Sequence, residues 1–243
     1  MASKVRLYVD QPLGEGQLVP LSRDQAHYLF GVMRMAVGTV LSLINGRDGE
    51  WDAEVADAGK HKGVLVCVSQ TKPLQAPPDL WLLFAPIRKE RMQFLVEKAT
   101  ELGVAVLQPV QTTFTNHTDR VRIDKMRAHV VEAVEQCGAT FVPDVRDPAK
   151  LDALLRDWPD DRPLYFCDEA ALGEVARFDA VAPSAKAAIL IGPEGGFSDD
   201  ERTQLQSHAM TQTISLGPRI LRAETAAVAA LTLWQSTWGD WAE

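Results

Sequence analysis

Two similar segments near the carboxyl end of the chain constrain its fold most strongly. They are IGPEGGFSDDE at 191–201 and LGPRILRAETA at 216–226, and each has the pattern of a strand, a glycine-proline turn and a helix start. The apolar run AAILI at 187–191 is typical of a strand that is covered on both faces. Two such units predict a sheet with two loops side by side at one edge, which is where open α/β sheets bind ligands.

The first of these loops combines glycines with acidic residues. Ser198 followed three residues later by Glu201 is a capping box, which predicts a helix that starts at about Asp199. A glycine loop before a helix commonly binds phosphate, but this one carries Glu194, Asp199, Asp200 and Glu201 and has no phosphate-binding lysine. The loop favours a nucleoside without phosphate, and S-adenosylmethionine (SAM), which bears a positive charge, meets that description. An ordinary capped turn, with acids that complement the helix dipole, is the alternative.

The second loop is apolar where loops are usually polar. Ile220 and Leu221 stand between Gly217 and a long apolar helix that opens with Arg222 and Glu224. Apolar loop residues suit a flat ring held between the two loops, with its edges hydrogen-bonded to main-chain groups. Arg222 and Glu224 are the charged residues next to this loop and could contact the ligand, but on general grounds a simple ion pair between them at the helix start is about as well supported.

Composition narrows the class of protein. The chain has 243 residues with 46% hydrophobic content, no signal peptide at its start and no apolar run long enough to span a membrane, so we expect a cytoplasmic protein. The three cysteines lack CxxC spacing and are expected in the core, and the five histidines lack metal-ligand spacing, so no metal is expected. The net charge is −8 and the acid excess lies in residues 129–243. An RNA partner would therefore meet local basic patches in the first half.

The order of elements predicts two domains. Residues 4–72 contain five or six short strands and one helical insert, HYLFGVMRM, which suggests a small barrel. The segment KPLQAPPD at 72–79 has the composition of a stiff linker. From Leu80 onward strands alternate with helices, which is typical of an α/β fold with a mostly parallel sheet. In the helix expected at 89–102, the residues Met92, Leu95, Val96, Ala99 and Leu102 fall on one face.

Four motifs in order resemble one known family. The segments RKERMQFLVEKATELGV at 88–104, VEAVEQCG at 131–138, IGPEGGFS and LGPRILRAETA resemble the ribosomal RNA small subunit methyltransferase E family, of the SPOUT class. The resemblance implies a PUA-like β-barrel that binds RNA at residues 1–72 and a SPOUT methyltransferase domain with a trefoil knot at 80–243. It also implies a homodimer with the active site at the interface. The apolar last helix is a candidate contact, although burial within one subunit is the alternative.

The resemblance further implies a reaction. The protein would transfer a methyl group from SAM to N3 of a uridine in 16S ribosomal RNA, free or in the small ribosomal subunit, with Arg222 and Glu224 at the catalytic site. An arginine there would stabilise the developing uridine anion. The residues expected to bind the cofactor are Ile191, Gly192, Pro193, Glu194, Gly195, Gly196, Leu216, Gly217, Ile220 and Leu221. The candidates for contacts with RNA are Arg6, Arg34, Lys89, Arg91, Arg120 and Arg219, and those for contacts with a flipped base are Phe114, Asn116 and His117.

Two other functions compete with this one. The first is a SPOUT enzyme that acts on another RNA site or on a ribose oxygen, and the second is a non-catalytic RNA-binding protein of the same fold. One residue departs from the family pattern: Ala139 follows EQCG, where the family commonly has arginine. Whatever that arginine does must be done by another residue here.

Overall fold

The chain forms two structural units, and each has its own sheet. The computed structural model describes residues 5–59, 61–115, 121–171, 178 and 184–242. The first unit comprises Met1–Ala76 together with Val134–Val142, and the second comprises Pro77–Ala133 and Pro143–Glu243.

Five short strands make the sheet of the first unit. They are β1 (Arg6–Tyr8), β2 (Leu18–Pro20), β3 (Val40–Ile44), β4 (Glu50–Gly59) and β5 (Lys62–Lys72). Their order is β1-β3-β4-β5-β2, with β1 parallel to β3 and the other neighbours antiparallel. The turn between β3 and β4 has positive φ at Gly46 and Gly49, as its asparagine-glycine and aspartate-glycine pairs predicted. Alternate side chains on the strands, including Leu41, Leu43, Val55 and Leu65, form a buried core.

The helical insert of this unit is less regular than predicted. A short α1 (Arg23–Ala26), capped by Ser22 and Gln25, continues as a π-helix over His27–Val32. Leu29 is fully buried and anchors the insert to the core. The expected helix over HYLFGVMRM therefore ends early, and Arg34 follows it in the left-handed region with φ +56°.

A parallel sheet forms the second unit. Its strands are β6 (Asp79–Phe84), β7 (Val106–Gln111), β8 (Asp144–Val145), β9 (Ala149–Lys150), β10 (Leu164–Cys167), β11 (Lys186–Ile191) and β12 (Thr211–Ile214). The order is β12-β10-β11-β6-β7-β8, and β9 pairs with β7 beyond the end of β8. All of these pairings are parallel. The loops that follow β11 and β12 therefore share one edge, but β10 lies between them, which corrects the prediction that they are side by side.

Helices cover both faces of this sheet. They are α2 (Lys89–Glu101), α3 (Ile123–Cys137), α4 (Leu151–Arg156), α5 (Asp199–Ser207) and α6 (Ala223–Trp238). On one face, α4 and α5 pack against the sheet through Leu151, Leu155 and Leu205. Strand residues alternate between faces, so Tyr165 points the other way and its ring meets Trp238 of α6. Burial on both faces explains why β6, β10 and β11 are mostly apolar.

Helix α6 packs against both the sheet and α2. Ala227, Ala230, Leu231 and Trp234 are buried within the chain, whereas Leu233 is 41% exposed. The Gln235 side-chain amide donates a 2.7 Å hydrogen bond to the Leu102 carbonyl at the end of α2. Most of the apolar surface of α6 is thus buried inside one chain. This agrees with the alternative considered from the sequence, in which the helix is buried within one subunit rather than in a dimer contact.

The remaining expectations have mixed outcomes. Helix α2 begins and ends within a residue of its predicted range, and Gly103 follows it with φ +75°. Cys67 and Cys167 are buried as expected, but Cys137 is exposed. Within the described ranges, every helix is too short or too polar to cross a membrane.

Candidate functional site

Three loops meet at the carboxyl edge of the parallel sheet. Cys167 at the end of β10 pairs in register with Ile191 at the end of β11 and with Ile214 at the end of β12. We call the segments that follow the first loop (192–198), the middle loop (168–171) and the second loop (215–222). Because neighbouring strands lie about 4.8 Å apart, the strands that lead into the first and second loops are separated by roughly 10 Å. Strand β10 and the middle loop lie within that separation.

Glycines in the first loop make room for neighbouring side chains. A Cβ on Gly192 would lie 2.5 Å from the Phe197 ring, and one on Gly195 would lie 3.1 Å from Cβ of Phe114. Gly196 has φ +70°, and a Cβ there would collide with the Glu169 carboxylate of the middle loop. The space beside these glycines is therefore filled by protein atoms, whereas the sequence predicted that it would admit a ligand.

The capping box at the start of α5 forms as predicted. Ser198 accepts a hydrogen bond from the Glu201 amide, and the Ser198 amide donates to Glu201 Oε2 at 2.9 Å. Glu201 Oε1 accepts a 2.7 Å hydrogen bond from the Thr113 amide in the loop after β7. Glu201 thus ties two loops together, which leaves Glu194, Asp199 and Asp200 as the exposed carboxylates of this segment.

The middle loop contributes an ion-pair network that sequence reasoning missed. Arg202 on α5 donates from Nε to Asp168 Oδ1 at 3.2 Å and from a terminal nitrogen to Glu169. The Asp168 side chain is only 3% exposed, so its charge is compensated by Arg202 in a largely buried position. One signal was available: Asp168 and Glu169 directly follow the apolar run LYFC.

A small cavity lies between the middle and second loops. Its volume is ≈ 40 Å³, room for about one water molecule. Burial raises the pKa of the Cys167 thiol, which lines it, to about 12, so the thiol stays protonated at neutral pH and is not a nucleophile. Four residues predicted to bind the cofactor line this cavity, together with Arg219: Leu216, Gly217, Ile220 and Leu221. The predicted residues of the first loop and its strand do not: Ile191, Gly192, Pro193, Glu194, Gly195 and Gly196.

Glu224 pairs with a residue of α2 rather than with Arg222. Its Oε1 lies 3.6 Å from Nε of Arg91, and its side chain is 14% exposed. Its Oε2 is buried and has no hydrogen-bond partner among the described residues. Arg222 is the exposed N-cap of α6 and makes no side-chain capping bond. The ion pair considered from the sequence is therefore replaced by one to Arg91, which also limits Arg91 as a contact for RNA.

Arg6 holds the first unit together and is not free for RNA. Its guanidinium donates to Glu50 at 2.8 Å and to the carbonyl oxygens of Val134, Glu135 and Ala139. Its side chain is 12% exposed, because these acceptors at and beyond the end of α3 surround it. This corrects the prediction that Arg6 contacts RNA phosphate.

The other predicted RNA contacts are exposed or not described. Arg34, Lys89 and Arg219 are exposed, and Phe114 is 44% exposed beside Gly195. The candidates Asn116, His117 and Arg120 lie outside the described residues.

Family comparisons agree with this architecture. Residues 74–235 match an RNA methyltransferase domain, and residues 21–66 match an RNA methyltransferase PUA domain. Ribosomal RNA small subunit methyltransferase E of Rickettsia conorii is 31% identical over 93% of each chain. The enzyme of the same name from Bacillus subtilis is 26% identical over 91% of each chain.

Solved structures show the same fold. A methyltransferase from Legionella pneumophila in complex with SAM superposes with a TM-score of 0.88 at 30% identity, over 98% of this chain and 100% of that one. A ribosomal RNA small subunit methyltransferase E from Neisseria gonorrhoeae, bound to SAM, has a TM-score of 0.88 at 27% identity, over 98% and 99%. The expected fold is confirmed: a PUA-like domain is followed along the chain by a SPOUT-type α/β domain. With the domain match and the Rickettsia relative, these similarities show that the chain belongs to the ribosomal RNA small subunit methyltransferase E family.

Proposed function

We propose that this protein methylates N3 of a uridine in 16S ribosomal RNA, with SAM as the methyl donor. The observation that carries the proposal is the meeting of three loops, one acidic and one apolar, at the carboxyl edge of the parallel sheet. A relative of this chain is named ribosomal RNA small subunit methyltransferase E, and two similar solved structures contain bound SAM. Since ribosomal particles are the proposed substrate, we also propose that the protein acts in the cytoplasm.

The residues present fit SAM better than a nucleotide phosphate. When bound, SAM supplies an electrophilic methyl group on a positively charged sulfur. The exposed carboxylates Glu194, Asp199 and Asp200 favour a cation and repel phosphate. We propose that the ligand is held by the first and second loops, at the residues predicted from the sequence.

Binding requires the second loop to move. The cavity of ≈ 40 Å³ is far smaller than the roughly 300 Å³ or more of typical ligand pockets. Ile220 is 71% exposed at the tip of the second loop, so few contacts within the chain oppose its displacement. Its apolar side chain and that of Leu221 would then cover one face of the adenine ring.

Two charged residues at the start of α6 are proposed to act on the uridine. Arg222 is exposed and unpaired among the described residues, which leaves its guanidinium available to stabilise negative charge on the base as N3 loses its proton. Glu224 would take up the N3 proton through its unpartnered oxygen, Oε2, as N3 bonds to the methyl group and the bond from that group to the SAM sulfur breaks, and Arg91 holds that carboxylate in place. Alignment of the two reacting atoms supplies much of the rate, since positioning alone is worth up to about 7–11 kcal/mol.

The domain roles and the assembly are part of the proposal. Residues 1–72 would form the RNA-binding domain, and residues 80–243 the catalytic domain with a trefoil knot at its carboxyl end. The exposed apolar residues Ile220, Leu233 and Trp241 support a homodimer contact near the second loop and α6. Light scattering of the purified protein measures this directly, and a mass of one chain would contradict the dimer.

The decisive experiment is methylation of small ribosomal subunits in vitro with labelled SAM. Digestion of the RNA and mass spectrometry of the nucleosides then identify the product. N3-methyluridine supports the proposal, whereas a methylated ribose or another methylated base supports a different SPOUT reaction. Absence of transfer, with no heat on titration of SAM, would leave an RNA-binding protein without catalytic activity.

A further inference from the structure

A large cavity in the described structure lies outside the three loops. It is a cleft of ≈ 570 Å³ between the first turns of α2 and α3, within the size range of pockets that bind small organic groups. Because β6 and β7 are parallel neighbours, the segments that lead from them into α2 and α3 leave the same sheet edge as the three loops. The residues that line it are Pro86, Ile87, Arg88, Lys89, Met92, Gln93, Val121, Arg122, Lys125, Met126 and His129.

The charge of the cleft is opposite to that of the whole chain. Among the described residues, its lining includes two arginines and two lysines and no aspartate or glutamate, although the protein carries a net charge of −8. Arg122 is bonded to Asp124. Arg88, Lys89 and Lys125 are exposed and have no ion-pair partner among the described residues. These three cations provide an anion-binding end.

The rest of the lining is mostly apolar, and two glutamates lie just beyond it. Ile87, Met92 and Met126 supply an apolar floor, and methionine adapts well to a flat ring. At the far end, His129 lies near Glu132 and Glu97, whose carboxylates disfavour an anion there. The cleft thus separates a cationic end from an apolar floor, as recognition of a nucleotide requires.

Helix α2 links this cleft to the proposed catalytic residues. Lys89 and Met92 face the cleft, whereas Arg91, between them in sequence, pairs with Glu224 at the start of α6. The Ala85 amide, just before the cleft, donates a 3.0 Å hydrogen bond to the Ile191 carbonyl at the entrance to the first loop. A strand of RNA with its target base at Glu224 would therefore have a neighbouring nucleotide within reach of the cleft.

We propose that the cleft binds a nucleotide of single-stranded RNA adjacent to the methylated uridine. Its phosphate contacts Arg88, Lys89 and Lys125, and its base packs on Ile87 and Met92. The inference rests on the proposed RNA substrate. It adds a binding site for the strand next to the target, and it is tested by RNA binding without any need for methyl transfer.

The test is the salt dependence of binding to a short fluorescein-labelled oligouridine. Each phosphate contact to a single strand contributes a slope of about −0.7 to a plot of log affinity against log salt concentration. At 0.1 M salt, one such contact therefore raises the affinity about fivefold. The double variant Lys89→Gln/Lys125→Gln should therefore have a slope shallower by about 1.4 and bind roughly 25-fold more weakly at 0.1 M salt. Lys150→Gln is the control, because Lys150 is an exposed lysine of the same unit outside the cleft.

A second measurement tests the position of the base. The ratio of affinities for oligouridine and for an abasic backbone of the same length should fall about fivefold in Met92→Ala, the lower end of what one stacked base contributes. An unchanged ratio would place the base elsewhere and refute that part of the proposal. An unchanged salt slope in the double lysine variant, or an equal change in Lys150→Gln, would refute the phosphate contacts. Calorimetry with SAM separates the proposed RNA cleft from the proposed methyl transfer. The variants should bind SAM with the affinity of the wild-type protein. If the wild-type protein itself does not bind SAM, the proposed function is refuted, but the RNA cleft is not.

Discussion

Replacement of Gly196 by alanine should weaken the connection between the first and middle loops. Gly196 has φ +70°, and a Cβ there would collide with Glu169 Oε1, the oxygen that is bonded to Arg202. A left-handed backbone costs a non-glycine residue about 1–2 kcal/mol, and loss of a partly exposed ion pair costs up to about 1 kcal/mol. We expect the free energy of unfolding to fall by about 1–3 kcal/mol, which lowers the midpoint of thermal unfolding by roughly 2–12 °C in a protein of this size.

Calorimetry measures both the stability and the binding of SAM by Gly196→Ala. Because Glu169 lines the loop cavity, its displacement should also raise the Kd for SAM by roughly tenfold, or about 1.4 kcal/mol. Gly16→Ala is a matched control, since Gly16 has φ +74° and a Cβ there would have no other atom within 4 Å, and it should leave SAM affinity unchanged. In a Glu169→Ala background, the cost of Gly196→Ala should shrink to the backbone strain of about 1–2 kcal/mol. An equal cost in both backgrounds would refute the collision.

Three further predictions concern single side chains. Arg222→Ala should lower kcat by about a hundredfold or more while SAM affinity is unchanged, because the role proposed for Arg222 is to stabilise charge on the base. Steady-state kinetics and calorimetry measure this, and wild-type turnover would remove Arg222 from the mechanism. Arg6→Met should lower the free energy of unfolding by about 3 kcal/mol, the lower end for a broken buried ion pair, because among the described residues Glu50 then keeps only the more distant Lys72, at 3.9 Å, as a charged partner. The exposed Arg34→Met should change it by less than about 0.5 kcal/mol, and equal effects in urea unfolding would contradict the role of Arg6. Burial raises the pKa of the Cys167 thiol from 9.0 to about 12, so above pH 9 the unfolded chain loses a proton that the folded protein keeps. The contribution of Cys167 to stability should therefore be constant below pH 9 and decrease as the pH rises toward 12. Over that range the stability of Cys167→Ala should fall less steeply than that of the wild-type protein, and identical slopes in unfolding measurements at several pH values would exclude this contribution.

Features that depend on neighbouring residues were predicted well from the sequence. Ser198 and Glu201 form their reciprocal hydrogen bonds because both partners lie within one turn of helix. Helix α2 has the predicted bounds because its apolar residues repeat with the helical period and Gly103 adopts a positive φ after it. These interactions need no information about the rest of the chain.

Features that depend on distant pairing were not predicted. The position of β10 between β11 and β12 is a property of strand order, and nothing in the three strands' own residues specifies it. Arg6 finds its carbonyl acceptors 128–133 residues away along the chain, at Val134, Glu135 and Ala139. From sequence alone an arginine is expected at the surface, because its distant hydrogen-bond partners are visible only in the folded structure. The predicted role of Arg6 as an RNA contact was therefore wrong. The bonds of Arg6 to this segment also involve Ala139, the position where the family commonly has arginine.

The distribution of charge around α2 suggests how an acidic protein can bind both a cation and an RNA. Its loops place Glu194, Asp199 and Asp200 at the edge that suits a positively charged methyl donor. Those same carboxylates repel the RNA backbone. At physiological salt the Debye length is about 8 Å, so this repulsion is weak at larger distances from the carboxylates. Cations on the cleft side of α2 can therefore attract phosphate a short distance away, while Arg91 on its other side compensates Glu224. A single helix thus separates the two binding regions electrostatically, and because it carries residues of both, a shift of α2 on RNA binding would be transmitted directly to the Glu224 carboxylate.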